Sequence, residues 1–286
     1  MHFVKKSIDI LLRIYHPQRY LTCPTPPTMP IVCKNCGNEF EGAYCNRCGQ
    51  SADTTELNLH FLRDTVIHEL LPFDKGILFT LRELFIRPGH AIREYIDGKR
   101  VRHIKPLSLV LVLAGIFGFL FHYFHISILS GAVEVTSSGP DSRNVMAYLD
   151  EVNNWIAENY ALVCLVQLPL YALGTFLMFR KKGYNYVSHF VLNAYLTGQR
   201  LFLRIVFFPL YYLSNQSGSA KVLSSFINLA GFALTVWTLS QFFDKERKIN
   251  VFWRTLGSYV IFYTVFLTLT GGLSVLLYYY FVKGHL

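Results

Sequence analysis

Apolar residues are concentrated in the C-terminal two-thirds of the chain, where charged residues are sparse. From about Leu107 to Val282 the apolar stretches are long enough to cross a bilayer, since a spanning helix needs about 20 residues. The pattern predicts about five spans: Pro106–Ile126, Tyr160–Phe179, Val187–Leu213, Val222–Phe243 and Trp253–Val282. The fold class that we expect is therefore all-α, a polytopic helical membrane bundle over residues 106–286.

Shorter helical patterns precede the spans, in the polar region 51–105. Apolar positions recur at helical spacing in three runs. The runs are Leu57 to Leu70, stopped by Pro72; Ile77 to Phe85, ended by Pro88-Gly89; and Ile92 to Ile96, closed by Gly98. These amphipathic helices are too polar to span. They can pack together, lie on the membrane or dock on the spans, and the pattern leaves these alternatives open.

Charge alternates between the loops that join the predicted spans. The segments before span one, after span two and after span four are basic, whereas the loop 127–159 is acidic and the loop 214–221 has one lysine. Because Lys and Arg collect on the cytoplasmic side, we expect a multi-pass membrane protein whose basic loops lie in the cytoplasm. Its N-terminus would be cytoplasmic and its C-terminus outside.

The N-terminal segment 1–32 is predicted to be a basic leader followed by a Pro-rich linker. Met1–Tyr20 suits either an amphipathic surface helix or a disordered tail, and Met29 is an alternative start.

The loop 127–159, which the charge pattern places outside, is called the outer loop. It has a helical face of its own, formed by Val145, Leu149, Val152 and Ile156, and we expect a short interfacial helix there.

Composition supports a membrane protein and argues against a nucleic-acid partner. The chain has 286 residues, of which 52% are hydrophobic and 16% are charged, whereas a soluble domain has about 25% charged residues. The net charge of +9 follows from basic cytoplasmic loops, so it does not call for nucleic acid.

Four cysteines ahead of the spans form two matching pairs, Cys33-Lys34-Asn35-Cys36-Gly37 and Cys45-Asn46-Arg47-Cys48-Gly49. Two C-x-x-C pairs at this spacing are typical of a four-thiolate metal site. We predict a zinc ribbon over residues 33–50, with Zn²⁺ as the expected ion and iron as an alternative. A site with four protein ligands has no open position for a substrate, so a structural role is expected. Cys23 and Cys164 do not belong to either cysteine pair and have no evident partner cysteine in the sequence.

The third predicted span carries a polar face formed by His189, Asn193, Thr197, Arg200 and Arg204. An arginine at the centre of a span costs about 2.5–3.5 kcal/mol on insertion scales, so partners are needed. Gln167, Asn228 and Gln241 are candidates. One interpretation is a ligand or lipid-headgroup site; the other is a helix that ends near Thr197, followed by an interfacial segment.

Other polar positions give weaker signals. His122 and His125 are spaced to share a metal, but interfacial histidines explain them as well. The basic run from Arg93 to Lys105 suits anionic lipid or simply sets topology. Gly271-Gly272 permits close packing or a kink. Motifs of serine hydrolases, nucleotide-binding enzymes and zinc peptidases are absent from the sequence.

A longer motif resembles a family of bacterial integral membrane proteins of unknown function that carry an N-terminal zinc ribbon. The similarity covers about Cys33 to Leu113 and joins the cysteine pairs to an Arg-Pro-Gly…Tyr-x-x-Gly-Lys-Arg block. The resemblance implies a location in the bacterial inner membrane and no activity. It marks a set of positions as the family signature: Pro88, Gly89, Tyr95, Gly98, Lys99 and Arg100.

We therefore expect a non-enzymatic scaffold or regulator, whose zinc ribbon contacts a cytoplasmic protein partner. A small-molecule or lipid permease that uses the Arg200/Arg204 face is the alternative, and a membrane-embedded enzyme comes third. The bilayer is the expected environment, and anionic lipid is a further candidate partner.

Overall fold

A computed structural model describes residues 30–52, 54, 57, 76–124, 126, 151–216 and 219–278; of residues 215–216 and 273–278 it describes the backbone alone. The chain divides into two compact units, Met1–Thr54 and Thr55–Leu286. The predictions for the N-terminal leader, for the helix ended by Pro72 and for residues 127–150 of the outer loop lie outside the described residues.

The first unit is built on two short antiparallel strands, β1 (Ile31–Val32) and β2 (Glu39–Phe40), in which Ile31 is paired with Phe40. A single bridge between Tyr44 and Ser51 repeats this arrangement one motif later. Phe40 is buried with two of the cysteines, and these side chains form the core of the unit.

The second unit consists of helices. Their bounds are α1 (Ile77–Ile86), α2 (Pro88–Ile96), α3 (Pro106–Tyr123), α4 (Tyr160–Phe179), α5 (Tyr186–Val206), α6 (Phe208–Gln216), α7 (Ala220–Phe242) and α8 (Lys248–Tyr278). Residues 151–158 are also helical, which confirms that part of the predicted outer-loop helix. A one-turn 3-10 helix, Arg180–Lys182, follows α4.

Helix α5 lies at the centre of this unit. It packs against α3 and α4 along much of its length, and it also contacts α1, α2, α6 and α7. Almost every residue from Val187 to Leu201 is buried, including the polar side chains. Because neighbouring helices cover it, α5 can carry polar groups that a lipid-facing helix could not.

Successive long helices run in opposite directions, and their ends gather at two opposite poles. At one pole Phe179 at the end of α4 stacks on Phe243 at the end of α7, with ring centroids 4.3 Å apart. At the other pole Arg204 near the end of α5 contacts Tyr160 at the start of α4. Helix α5 therefore runs from one pole of the bundle to the other.

Four helical segments in the described part are long and apolar enough to cross a membrane: Pro106–Tyr123, Tyr160–Lys182, Ala220–Phe242 and Lys248–Gly272. Their outward surfaces are apolar, with exposed side chains such as Val166, Leu229 and Leu267. These helices correspond to four of the five predicted spans.

The third predicted span, Val187–Leu213, is wrong in its bounds. The helix breaks at Phe207, and Pro209 lies in the first turn of the following helix α6, a position that suits proline because it has no backbone N–H to pair. The alternative of a helix ending near Thr197 is also wrong, because α5 continues to Val206.

The amphipathic helices α1 and α2 dock on the bundle, which decides between the alternatives left open by the sequence. The Ile104 backbone N–H donates to Thr80 Oγ1 at 2.9 Å, and Gln199 Nε2 donates to the Leu84 carbonyl at 2.7 Å. Pro88 begins α2, and Gly98 follows that helix with a φ of +104°. The ends predicted for both helices are thus confirmed.

Candidate metal centre and polar helix

The four cysteines of the paired motif lie together. Their sulfur atoms are all within 4.8 Å of one another, so the group can hold a metal ion. Cys33 Sγ is 3.5 Å from Cys48 Sγ, and Cys36 Sγ is 3.7 Å from Cys45 Sγ. A tetrahedral zinc site with Zn–S bonds of about 2.3 Å separates its sulfurs by about 3.8 Å. The observed spacing is close to that value, so the residues fit such an ion.

The two halves of this cluster have the same local hydrogen bonds. In the first, Gly37 N–H donates to the Cys33 carbonyl and Cys33 N–H to the Asn38 carbonyl; in the second, Gly49 and Cys45 repeat these bonds. Gly37 and Gly49 have φ of +70° and +74°, a backbone region that favours glycine. The repeated sequence therefore folds into two equal turns, each presenting a pair of thiols.

Backbone and side-chain donors surround the sulfurs. Hydrogen bonds from the Asn35 side chain and the Gln50 backbone lower the pKa of Cys48 to about 6. The Asn38 backbone N–H acts to lower the pKa of Cys36, but burial and the three neighbouring thiols outweigh it and raise that pKa to about 12. Four thiolates at this distance repel one another, and a divalent cation would remove that repulsion.

The polar residues of α5 do not converge on one site. At one end, His189 Nδ1 lies 3.2 Å from Thr175 Oγ1, and Asn193 Nδ2 donates to the same oxygen at 2.7 Å. Both side chains are buried, with exposed fractions of 1% and 2%, and His189 Nε2 has no hydrogen-bond partner among the described residues. Thr175, which the sequence analysis did not single out, is the residue that joins them.

Arg200 has a separate set of neutral partners. Its guanidinium donates to Tyr259 Oη at 2.8 Å and to Thr197 Oγ1 at 3.0 Å. The same group lies 4.7 Å from the centroid of the Tyr171 ring, a cation–π contact. These tyrosines belong to α8 and α4, so Arg200 links three helices.

Arg204, one turn further on, donates to Asn228 Oδ1 at 2.9 Å and to Tyr160 Oη at 3.2 Å. Asn228 was one of the three proposed arginine partners. Gln241, another of them, instead accepts from the Gly89 backbone N–H. Within the described residues neither arginine forms an ion pair with a carboxylate.

Arg204 also lines a cavity of about 260 Å³ between α3, α5, α6 and α7. The other lining side chains are Phe117, Phe121, Phe208, Tyr211, Lys221, Ser224, Ser225, Ile227 and Asn228. Sequence reasoning missed the serines and the lysine, although their spacing on α7 is that of one helical face.

The family-signature positions lie around α2 and have structural contacts. The Tyr95 ring is buried, 5.4 Å from the Tyr195 ring of α5, and the Arg100 guanidinium lies over it at 5.5 Å. Lys99 Nζ is 3.9 Å from a Glu94 carboxylate oxygen. Gly89 touches the end of α7, where an added Cβ would be 2.3 Å from the Phe242 nitrogen.

The histidines, the glycine pair and the unpaired cysteine that the sequence singled out do not come together in one site among the described residues. His122 Nδ1 lies 3.9 Å from a Glu158 carboxylate oxygen, and His125 lies outside the described residues. Gly271 and Gly272 face open space inside a continuous helix, so the predicted close packing or kink is not found there. Cys164 is buried in α4 and is not a member of the four-cysteine group.

A segment of the chain is similar to a known protein family. The model of a family described as "Protein of unknown function (DUF3667)" matches residues 74–118. No curated protein and no solved structure matches the chain. The matched segment contains α1, α2 and most of α3, so the chain is similar to this family in the helices that dock on α5 and α7.

Proposed function

We propose that this protein is a membrane-anchored scaffold or regulator, whose N-terminal unit binds a protein partner in the cytoplasm of a bacterium. The observation that carries the proposal is the four-thiol cluster on a compact unit of its own. A metal held by four protein ligands has no position left for a substrate, so the unit suits a contact surface better than a reaction centre.

Zinc is the ion that we propose for this cluster. In structural sites zinc is bound by four ligands in a tetrahedral arrangement, often thiolates, and the ion has no redox chemistry of its own. The residues that would hold it are Cys33, Cys36, Cys45 and Cys48. When bound, zinc cross-links the two turns and stabilises a unit that has few other buried residues.

We propose an orientation with five crossings of the inner membrane. Helix α5 has 21 residues, which at about 1.5 Å per residue gives about 31 Å, close to a hydrocarbon core of about 30 Å. Arg93, Lys182 and Arg254 lie at the pole that would face the cytoplasm, in keeping with the positive-inside rule. The N-terminus is then cytoplasmic and the C-terminus outside.

The scaffold proposal is tested by affinity capture after cross-linking in intact cells. The full chain, with Cys33→Ser and Cys45→Ser introduced together, is compared with wild type and with a matched Cys164→Ser control. We expect a defined cytoplasmic protein to be captured by wild type and by the control, and to be lost with the double variant. An unchanged set of captured proteins, with all three chains equally abundant in the membrane, would rule out a partner for the ribbon.

A permease is the second candidate, favoured by the polar helix α5 and the cavity beside Arg204. For this role the Arg200→Gln and Arg204→Gln variants should fail to complement a strain in which the gene is deleted. The cysteine variants should complement it. The opposite result supports the scaffold. The pairing of Arg200 with Tyr259 and Thr197 favours a structural role for that arginine.

A further inference from the structure

We propose that the cavity beside Arg204 binds the phosphate group of an anionic amphiphile, with a membrane phospholipid as its source. This inference goes beyond the scaffold role and does not depend on the metal. It starts from a cavity of about 260 Å³, which is much larger than the volume of about 30 Å³ that one water occupies in the liquid.

One wall of the cavity comes from a single face of α7. Lys221, Ser224, Ser225 and Asn228 all line it, and their spacing of three, four and seven residues places them on one side of a helix. Together they offer an ammonium group, two hydroxyl groups and an amide. These are donors that suit phosphate oxygens.

Arg204 faces this wall from α5. Its partners there are the neutral oxygens of Asn228 and Tyr160, and within the described residues no carboxylate balances its charge. Arg204 is partly buried, and a partly buried guanidinium is stabilised when an anion balances its charge. An anion in the cavity would supply that counter-charge to Arg204.

The opposite wall is aromatic. Phe117, Phe121, Phe208 and Tyr211 line the cavity, and each is buried in the bundle, with an exposed fraction of 8% or less. A free phosphate would contact only the polar wall, whereas an amphiphile can use both. The combination therefore favours a phosphate group that is attached to an apolar chain.

The location also suits a lipid. The cavity lies at the pole where α5 ends and α7 begins, which is the level of the headgroups for helices of this length. On the same helix α7, Val222, Phe226 and Leu229 are exposed by 75%, 57% and 65%. These side chains form an apolar surface beside the cavity, along which acyl chains can lie.

The test uses the purified full chain in detergent, with native mass spectrometry to measure the affinity of the first bound phosphatidylglycerol. Lys221→Gln and Arg204→Gln are compared with Arg247→Gln, which removes one charge at the opposite pole. A charge-assisted hydrogen bond contributes enough for each cavity variant to bind at least about tenfold more weakly, while the control keeps wild-type affinity. Lys221 is exposed, so its variant should fold even if the Arg204 variant does not.

Inorganic phosphate separates the two sources of the anion. We expect it to compete with the lipid only at concentrations at least about a hundredfold higher, because it lacks the apolar part. Equal affinity for inorganic phosphate and for the lipid would overturn the proposal that the ligand is an amphiphile. An equal loss of lipid affinity in the Arg247→Gln variant would overturn the proposed site. An unchanged affinity in the Lys221 variant would also overturn it.

Discussion

Gly89 is a residue at which α2 lies close to the end of α7, since an added Cβ would be 2.3 Å from the Phe242 backbone nitrogen. Its N–H donates to Gln241 Oε1 at 3.2 Å, and a Cβ at this position would lie 2.4 Å from the Gln241 Cβ. Such a contact is too short for any side chain. The sequence marks Gly89 as a signature position, and the structure gives the steric reason.

We predict that Gly89→Ala destabilises the protein by about 1–3 kcal/mol or more, as overpacking does in a well-packed interior. The measurement is thermal unfolding in detergent. Gly115→Ala is the matched control, because Gly115 also lies in a helix but faces open space. Alanine should be neutral or stabilising there, and equal losses in the two variants would contradict the steric explanation.

Cysteine substitution tests the metal centre at the same scale. We predict that Cys45→Ser lowers the zinc content of the purified protein from about one ion per chain to a small fraction, because a three-thiolate site binds far more weakly. Elemental analysis by mass spectrometry gives the stoichiometry. Cys164→Ser should leave the zinc content unchanged, and metal retained by the Cys45 variant would exclude the four-thiolate site.

At the scale of elements, Arg93 of α2 bonds three groups at and just after the end of α7. Arg93 donates to the Asp244 carboxylate at 2.9 Å and to the Gln241 carbonyl at 2.8 Å, and it also bonds the Phe242 carbonyl. These carbonyls belong to the last turn of α7 and have no partner within the helix. Arg93 therefore satisfies a helix end from a neighbouring element.

We predict that Arg93→Gln costs about 1–3 kcal/mol of unfolding free energy, because it leaves the carbonyls of the α7 end unpaired. Asp244→Asn should cost clearly less, since it removes only a solvent-exposed ion pair. Denaturation of both variants in detergent measures the difference. If the two substitutions were equally costly, the ion pair and not the helix end would dominate this contact.

The acidic residues after α7 make this junction sensitive to pH. The Arg93 guanidinium lowers the pKa of Asp244, and the Lys182 ammonium lowers the pKa of Glu246. When the folded pKa of a carboxyl lies below the unfolded value of about 4, its stabilising effect is complete above that value. The effect is lost as the pH falls through the lowered, folded pKa.

We therefore predict a melting temperature that is constant near neutral pH and falls below about pH 4. The double variant Asp244→Asn, Glu246→Gln should start from a lower plateau and show a shallower fall. Melting curves at a series of pH values provide the measurement. A fall of equal steepness in the variant would assign the acid sensitivity to other groups.

At the scale of the whole molecule, the proposed number of membrane crossings depends on α5. It is too polar to rank with the four apolar spans, yet it runs between the same two poles as they do. Its polar side chains are covered by other helices, so the lipid need not solvate them. Five crossings follow from counting it, and four from leaving it out.

We predict that a phosphatase fused after residue 286 is active, which requires export from the cytoplasm, and that a fluorescent protein in the same place is dark. A fusion in the loop at Gly183 should give the reverse pattern. Both follow from an N-terminus inside and five crossings. A C-terminal phosphatase without activity, in a chain that is stably inserted, would indicate an even number of crossings.

The sequence by itself determined the elements whose cause is local. The two cysteine turns repeat because each needs only five residues and one glycine with positive φ. Pro88 and Gly98 mark where α1 and α2 end, and the length of the apolar stretches predicts four of the spans. Pro209 would have placed the break in the third predicted span, because proline favours the first turn of a helix.

Only the tertiary structure decided which side chains meet. Arg200 pairs with Tyr259, which is 59 residues away, and Gln241 bonds Gly89 across 152 residues. Such contacts depend on which faces two helices turn towards each other, and helical spacing fixes a face without fixing its neighbour. For the same reason the polar face of α5 reads as one site in the sequence, whereas packing divides it among separate partners.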